Sequence, residues 1–462
     1  MTDKALSRRK LILEGNLWRA ILVLAIPAAI NDFIRSMYSL IDTYFVSSIG
    51  SMEVAAITFV GPLNMFIRTF SLGLAIAGTN LIAREIGRED YKKAKNVSMQ
   101  LLVIAFVMGS LFAVASFIYS KEILLAASAT EGILGVANLY FRLTALSAPF
   151  IFINSIYIAI KRAEGDTFKA MMINIIAMFI KIVMSYIFIM QLNLGIAGLA
   201  YSTMIGTMFV SVYGLYDIFV KQSVIQLTMK DLYFTKHFLW SLVLIATPVI
   251  IEKSSISFSF IVLNKYVIDY GEKVLAGYGI ANRLNSLFFA LVTGFSSGLS
   301  PVISQNLGAG NIERAKASVN KTFIMALGIA TVVIAFVLPF RREIASMLAS
   351  GDSEVLYHTV NAMGVYSITV IPWAIFQVAN GVFQGTGHTK YNMILSILRI
   401  YAFRLPAVIL LTRFTDFGEY SIWYSMLISN VLTGICAWVI YLYQRKDFTL
   451  AGDYTKAVKV PG

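Results

Sequence analysis

A polar stripe runs along the first long apolar segment of this 462-residue chain. Its members are spaced by three, four and three residues, so in a helix of about 3.6 residues per turn they share one face. A charged side chain in a membrane-spanning helix faces water or another helix, because exposure to lipid is costly. The spacing therefore predicts that this face lies against a water-filled cavity or the interior of a helix bundle. The stripe consists of Asp32, Arg35, Ser39 and Asp42.

Two interpretations divide these charges. Asp32 and Arg35 form either a local ion pair or part of a cavity wall. Asp42 has no cation nearby in its own segment, so we expect a functional role for it. Its expected partner is Lys181, which would share a helix face with Asn174 and Ser185, because a lysine at membrane depth requires a partner. A static buried salt bridge remains the alternative.

The second half of the chain has its own polar groups. Glu252 lies beside Lys253 in the seventh apolar segment, and Arg399 and Arg404 in the eleventh either pair with Glu252 or line a cavity. Neutral polar and aromatic side chains at helical spacing are typical of a promiscuous binding wall, or of hydrogen bonds between helices. They are Trp373, Gln377, Asn380 and Gln384, with Asn154 and Tyr157 as counterparts in the first half.

The elements that position these residues are membrane-spanning helices. The chain is 58% hydrophobic and 14% charged, with a mean hydropathy of +0.74, and it has long apolar runs separated by short polar loops. The alternating pattern of an outer-membrane barrel is absent. One cysteine and three dispersed histidines argue against a metal site. We expect no cofactor. We also expect no enzymatic activity, because the sequence shows no nucleophile–base pair.

Twelve apolar segments predict twelve transmembrane helices. Their basic loops fall mostly on one side, which places both termini in the cytoplasm by the positive-inside rule. Juxtamembrane basic residues account for the net charge of +13 and favour anionic lipid over nucleic acid as the partner. The predicted spans are 17–45, 54–80, 96–120, 128–158, 168–190, 195–219, 237–265, 275–302, 318–340, 355–383, 391–413 and 419–443.

An internal repeat organises these helices. Pro27 aligns with Pro248 at an offset of 221, and Gly73 then meets Gly294 without a gap. An even number of helices per repeat gives both halves the same topology. We therefore predict an all-α polytopic membrane protein with two pseudo-symmetric six-helix bundles around a central cavity. The predicted domains are 1–219 and 237–444 for the bundles, 220–236 for a cytoplasmic linker and 445–462 for a cytoplasmic tail.

Two pairs of repeated segments resemble those of a known family. "GTNLIAREIGREDYKKAKN" and "GLSPVISQNLGAGNIERAKAS" are similar to loops after the second and eighth helices of MATE (multidrug and toxic compound extrusion) transporters. "RAEGDT" and "QGTGHTK" are similar to their loops before the fifth and eleventh helices. The resemblance covers nearly the whole chain and extends to the wider multidrug/oligosaccharidyl-lipid/polysaccharide exporter superfamily.

The resemblance implies roles for several residues. Asp42 matches the functional acidic residue of the first helix, Pro27 matches a proline implicated in bending that helix, and Thr203 matches a polar position of the cation site. Lys181 and Ser185 depart from the family, since asparagine and aspartate are common there. We infer that the Lys181 ammonium takes the place of a bound cation. Glu252 corresponds more loosely to an acidic coupling residue.

The resemblance also implies a function. We expect a secondary active antiporter of the plasma membrane that exports small organic, often cationic, drug-like compounds by rocking-bundle alternating access. H⁺ is the expected coupling ion, ahead of Na⁺, and the protein is expected to be monomeric. The alternative is a lipid-linked precursor flippase of the same superfamily. With so many intramembrane cations, an anionic or zwitterionic substrate also stays open.

Overall fold

Helices account for the regular secondary structure of the part of the chain that the structure describes. The computed structural model describes residues 3–221, 224–347, 352–446 and 448–449. In chain order the helices are α1 Asp3–Leu13, α2 Leu17–Ser47, α3 Ser51–Gly87, α4 Tyr91–Ile118, α5 Ser120–Ala126, α6 Glu131–Ala145, α7 Ala148–Ala163, α8 Thr167–Ser185, α9 Gly195–Phe219, α10 Lys236–Ile268, α11 Glu272–Gly308, α12 Ile312–Val337, α13 Arg341–Ser346, α14 Ser353–Ile368, α15 Val370–Thr386, α16 Lys390–Ile397, α17 Leu405–Phe414 and α18 Tyr420–Gln444.

Three shorter helical segments complete this order. A π-helical segment, Tyr186–Gln191, continues α8, and a second, Leu398–Arg404, joins α16 to α17. A single 3₁₀ turn, Met229–Asp231, precedes α10. Each π-helical segment falls inside a span of the membrane, where such segments often mark functional positions.

Ten of the described helices or helix runs are long and apolar enough to cross a membrane. Two further pairs pass the same criteria only together: α6 with α7, bent by 45°, and α14 with α15, bent by 48°. If each bent pair forms one span, the described residues contain the twelve spans that the sequence predicts.

The two halves repeat the same order of elements. A proline-bearing helix (α2, α10) is followed by a helix of 37 residues (α3, α11). A bent pair, a helix with a π-helical segment and a final helix of 25 residues come later in each half. Gly165 and Gly387, which the sequence alignment matches, both adopt left-handed backbone angles, with φ of 79° and 80°. Glycine is favoured there because other residues are strained.

The chain folds as two compact units. Unit 1 consists of residues 1–15 and 33–250, and unit 2 consists of 16–32 and 251–462. The chain therefore passes between units inside α2 and inside α10, a few residues after Pro27 and Pro248. The predicted bundle boundaries at 219 and 237 remain a prediction.

Each unit has its own apolar core. In unit 1 the core is built from the later part of α2, from α3 to α9 and from the start of α10. In unit 2 it combines Ile21 and Ala25 of α2 with residues of α10 to α18. Close helix contacts use the glycines of the repeat: a Cβ atom on Gly294 would lie 2.4 Å from that of Ala29, and one on Gly73 would lie 2.6 Å from Ile250 Cγ1.

Candidate functional site

The polar centre of unit 1 is a pair formed by Asp42 of α2 and Lys181 of α8. The Lys181 Nζ atom lies 2.5 Å from Asp42 Oδ1, and the Lys181 side chain is only 2% exposed. The same ammonium lies 4.7 Å from the centre of the Tyr38 ring, one turn before Asp42. Gly206 of α9 packs against the Lys181 Cβ, so the lysine stem is enclosed by helices. The predicted pairing is confirmed, and its role in coupling stays a prediction.

Asp42 is the more accessible member of this pair. Its side chain is 23% exposed, against 2% for that of Lys181. The carboxylate is therefore the side of the pair that is open to its surroundings, and the ammonium is the enclosed side.

The other residues predicted around this pair occupy different surroundings. Ser185 is buried one turn after Lys181, and its hydroxyl lies 2.8 Å from that of Ser202. Thr203 is half-buried, and its hydroxyl lacks a hydrogen-bond partner within the described part of the chain. The Asn174 amide donates to the Ala170 carbonyl at 3.1 Å. The structure thus places Asn174 and Ser185 on the helix of Lys181, bonded to neighbours within unit 1.

An arginine that the sequence analysis did not single out joins this centre. Arg68 of α3 is exposed and acts electrostatically on Lys181 and on Tyr38. The signal that would have found it is its position as a lone cation in the apolar stretch of α3.

A second charged cluster of unit 1 lies where α7, α8 and α9 meet. The Lys161 Nζ atom is 2.9 Å from Glu164 Oε2 and 3.0 Å from Asp217 Oδ2, and Lys161 and both carboxylates are buried. Lys169 also pairs with Asp217. The hydroxyl of Tyr157, a residue predicted to line the cavity, donates to Asp217 at 3.4 Å. Tyr157 is fully buried, and its contact with substrate stays a prediction.

Glu252 and Lys253 form the corresponding charged feature of α10 in unit 2. Their Oε1 and Nζ atoms are 2.7 Å apart, and Glu252 is buried. The alternative pairing of Glu252 with Arg399 or Arg404 is wrong in the described structure, where neither guanidinium lies within 4.0 Å of that carboxylate. Lys253 takes the position because it is the adjacent residue on the same helix.

The polar stripe of α15 forms a continuous chain of amides in unit 2. Gln384 donates to Asn380 at 2.8 Å, Asn380 donates to Gln377 at 3.1 Å, and Gln377 donates to Thr293 of α11 at 2.6 Å. Trp373, one turn before Gln377, stacks on Phe289 with ring centres 4.6 Å apart. Only the bond from Gln377 to Thr293 joins two helices, and the other two lie within α15; contact of this stripe with substrate stays a prediction.

The remaining predicted residues are spread over both units. Asp32 is half-buried and belongs to unit 2. The side chains of Arg35 and Ser39 lie outside the described residues, so the predicted Asp32–Arg35 pair is not tested. In unit 1 the Asn154 Oδ1 atom is buried and lacks a hydrogen-bond partner among the described residues. Within that same part of the chain, no group of three or more His, Cys, Asp or Glu residues could hold a metal ion.

Comparison with protein families matches both halves of the chain. The model of one family, described as MatE, matches residues 27–187 and again residues 248–410. The two matches begin at Pro27 and Pro248, which is the offset of the internal repeat. The predicted repeat and the predicted family resemblance are both confirmed.

Known relatives cover almost the full chain. It is 23% identical over 449 residues to "Probable multidrug resistance protein YoeA" of Bacillus subtilis (strain 168), covering 94% of this chain and 96% of the relative. It is 22% identical over 438 residues to "Multidrug export protein MepA" of Staphylococcus haemolyticus (strain JCSC1435), covering 95% and 96%.

Solved structures share the fold. One is a crystal structure of MATE in complex with MaL6, with a TM-score of 0.92 and 23% identity, covering 97% of this chain and 99% of that one. Another is the outward-facing conformation of a multidrug resistance MATE family transporter of the MOP superfamily, with the same values. The predicted all-helical membrane fold is confirmed.

Proposed function

Because the chain belongs to the MatE family, we propose that it is a secondary active antiporter that exports small organic compounds in exchange for H⁺. The names of its relatives, a multidrug resistance protein and a multidrug export protein, support drug-like substrates. The observation that carries the choice of ion is the 2.5 Å contact between Asp42 and Lys181.

The proton is exchanged at the Asp42 carboxylate. In the resting pair, the Lys181 ammonium neutralises the carboxylate inside the unit. A proton that enters from the outer side binds Asp42, and the ammonium is then left without its counter-charge, which is unfavourable for a buried group. The protein then shifts towards the conformation in which the unpaired Lys181 ammonium is least unfavourable. Substrate binds the other conformation more tightly, so substrate and proton compete through this shift in population. Release of the proton inside restores the pair. Loss of the proton from Lys181 itself is the alternative form of the same cycle.

Sodium is the less favoured coupling ion. A bound Na⁺ requires several oxygen ligands, and the Lys181 ammonium already lies at 2.5 Å from the carboxylate that would be the first of them. Ser185 stands at the position where the resemblance makes aspartate common, and its hydroxyl is hydrogen-bonded to that of Ser202. Lys181 therefore acts as a built-in cation that replaces the external one.

Alternating access uses the two helices that pass between the units. The chain leaves unit 2 within α2 and leaves unit 1 within α10, shortly after Pro27 and Pro248 respectively. Proline removes a backbone hydrogen bond and permits a kink. We propose Pro27 as the hinge at which α2 bends when Asp42 changes its protonation state.

The protein acts in the plasma membrane with both termini in the cytoplasm. The basic loops support this orientation by the positive-inside rule. Function as a monomer is consistent with the presence of both repeats in one chain. A second candidate function, flipping of a lipid-linked precursor, is favoured by the two arginines buried in unit 2, since a basic interior suits phosphate groups.

Reconstituted transport tests this proposal. Purified protein in liposomes, loaded with ethidium as an organic probe, is given an imposed pH gradient or an imposed Na⁺ gradient at equal osmolarity. We expect the pH gradient alone to drive movement of the probe against its own gradient. Movement driven only by Na⁺ would contradict the proton mechanism, and transport of a fluorescent lipid but not of soluble probes would favour the flippase.

A further inference from the structure

Two buried arginines of unit 2 occupy the π-helical segment Leu398–Arg404. Arg399 is 5% exposed and Arg404 is 7% exposed. They are five residues apart (404 − 399), and the π-helix bonds residue i to residue i+5, so its wider turn brings both to one side of the helix. The segment lies in the middle of the span Lys390–Phe414, where an ionisable residue is costly and indicates function.

Neither guanidinium has a carboxylate within 4.0 Å among the described residues. Arg404 donates to the Ser429 hydroxyl at 3.0 Å and to the side-chain Oδ1 of Asn430 at 3.3 Å, and both of these are neutral groups. Arg399 lies over the rings of Trp373 at 4.9 Å and Phe376 at 5.3 Å. Aromatic faces and amides lower the cost of burial, but they leave two positive charges uncompensated.

Glu252 does not restore the balance. It acts on Arg399 from beyond salt-bridge distance, and its own carboxylate is 2.7 Å from the Lys253 ammonium. Arg404 also acts on Arg399, as a like charge. Glu252 is therefore paired with Lys253 and does not form a salt bridge with either arginine among the described residues.

Hydrogen-bond donors without acceptors surround the two arginines. The Arg399 Nε, the Trp373 Nε1 and the Tyr366 hydroxyl are buried and lack a hydrogen-bond partner within the described residues. The Trp423 Nε1 is in the same condition, and the Trp423 ring lies 5.7 Å from that of Tyr366. Trp373 lies against the Arg399 guanidinium, and Arg404 acts electrostatically on Tyr366. Buried polar groups normally find partners, and these groups require an acceptor.

We propose that this region of unit 2 is a binding site for the anionic group of an organic substrate, a carboxylate or a phosphate. The inference rests on the proposed export function and names the charge of its substrate. A carboxylate or phosphate supplies the missing negative charge and accepts two parallel hydrogen bonds from the Arg399 guanidinium, as such groups commonly do. It also accepts hydrogen bonds from the Trp373 indole and the Tyr366 hydroxyl. The rings of Trp373 and Phe376 contact the apolar body of the same compound.

The direction of charge movement makes export of an anion favourable. An incoming H⁺ and an outgoing monovalent anion both move positive charge inward, and a membrane potential that is negative inside drives both, by about 2.3 kcal/mol per charge at 100 mV. Exchange of one H⁺ for one monovalent cation moves no net charge. The proposal therefore implies electrogenic transport.

Binding and transport of paired probes test the site. Full-length protein in neutral detergent is titrated with carboxyfluorescein, an organic anion, and with ethidium, an organic cation, and binding is followed by fluorescence anisotropy. We expect Arg399→Gln to weaken carboxyfluorescein binding by about 10- to 100-fold, as for loss of a charged hydrogen bond, and Arg399→Lys to have an intermediate effect. The matched control is Arg413→Gln, an exposed arginine at the end of the same span, which is expected to change binding less than twofold.

The outcomes separate this inference from the proposed function. If wild-type protein exports ethidium under a pH gradient but neither binds nor exports carboxyfluorescein, the export function stands and the anion site is wrong. If no organic probe is exported but carboxyfluorescein binds in an Arg399-dependent manner, the anion site stands and the export function is wrong. Equal loss of binding in the Arg399 and Arg413 variants would also overturn the site.

Two further arms complete the test. Phosphatidylglycerol added to the detergent distinguishes the source of the anion: displacement of carboxyfluorescein assigns the site to a lipid headgroup, and lack of displacement assigns it to soluble anions. If Arg399→Gln does not yield folded protein, the site is tested in the wild type by competition of unlabelled ions with carboxyfluorescein. Benzoate is expected to displace the probe, and displacement by tetraphenylphosphonium alone would overturn the anion site.

Discussion

The interiors of the two units treat buried positive charge differently. In unit 1 the Lys181 ammonium has the Asp42 carboxylate 2.5 Å away. In unit 2 the guanidinium groups of Arg399 and Arg404 lack a carboxylate within 4.0 Å across the described residues. A paired charge can be switched by one proton, whereas an unpaired one requires an anion from outside. We infer that the repeats have divided the work, with the coupling ion in unit 1 and substrate charge in unit 2.

A second contrast concerns the second helix of each bent pair, α7 in unit 1 and α15 in unit 2. In unit 1, Lys161 holds two buried carboxylates, Glu164 and Asp217. Its counterpart at an offset of 223 is Gln384 (384 − 161), which starts the neutral amide chain of α15. Unit 1 is therefore held by ion pairs where unit 2 is held by amides. Breaking an ion pair leaves a charge behind, so the two units should respond differently to loss of one group.

The largest expected effect comes from Asp42→Asn. The substitution keeps the size of the side chain and removes the group that takes up the proton, so we expect pH-driven export to be abolished. Lys181 is left buried without a negative partner, and loss of its proton would relieve that cost. The measurement is export by reconstituted protein, with size-exclusion behaviour as the check of folding. The control is Glu122→Gln, an exposed carboxylate in α5. Undiminished pH-driven export in Asp42→Asn would contradict the account.

The next effect distinguishes the ion pairs of unit 1 from the amides of unit 2. Lys161→Met removes the cation that Glu164 and Asp217 share, although Asp217 keeps Lys169, and we expect it to lower the free energy of unfolding by about 3–5 kcal/mol. Gln384→Leu removes the neutral hydrogen bond to Asn380, among other contacts of this amide, and is expected to cost about 1–2 kcal/mol. Thermal unfolding of both variants in detergent measures the difference. Equal losses would break the contrast between the units.

Smaller effects are expected at the repeated glycines. Gly294→Ala places a Cβ atom 2.6 Å from the Ala29 backbone nitrogen, whereas at Gly73 the nearest atom, at 2.6 Å, belongs to the Ile250 side chain. A side chain can rotate away and a backbone cannot, so Gly294→Ala should lower the free energy of unfolding by about 1–3 kcal/mol and Gly73→Ala by less.

Gly279 provides the matched control for these substitutions. It belongs to α11, as Gly294 does, and no heavy atom lies within 4 Å of a Cβ placed there. Gly279→Ala should therefore stabilise the helix by about 0.5–1 kcal/mol. The same melting experiment compares all three variants. A Gly294→Ala protein as stable as Gly279→Ala would show that the close contact between α2 and α11 is absent.

The smallest effect is a pH dependence that arises at His388 of unit 2. Burial, with the nearby charge of Lys390, lowers the pKa of His388 from 6.5 to about 4. Between these values the unfolded chain binds more protons, so the free energy of unfolding falls as the pH drops from 6.5 towards 4. His388→Gln should remove this part of the dependence in thermal melts. The residue of unit 1 that aligns with His388 is Asp166. It is an aspartate, paired with Arg8 at 2.6 Å, instead of a histidine.

Much of the fold follows from sequence because hydropathy and repetition are local signals. Long apolar runs gave the spans, and the match of Pro27 with Pro248 gave the repeat. The contact between Asp42 and Lys181 was also predictable, because a buried lysine needs a counter-charge and few carboxylates lie within the spans. These inferences require only the cost of burying polar groups.

Other features depend on three-dimensional packing and left no clear pattern. The passage of α2 from unit 2 to unit 1 within one continuous helix is set by which neighbours each turn contacts. Asp217 became part of the Lys161 cluster through the crossing of α7 and α9. The π-helical segment at Arg399 has an unremarkable sequence, since one inserted residue shifts the register without changing composition.

The most direct test of the central claim, that Lys181 replaces an external cation, is the Na⁺ dependence of transport in two proteins. Wild type and the double variant Lys181→Asn/Ser185→Asp are reconstituted and given an imposed Na⁺ gradient without a pH gradient. The account predicts that wild type is indifferent to Na⁺ and that the folded double variant uses it to drive export. Export by wild type under Na⁺ alone, or a folded double variant without any response to Na⁺, would contradict it.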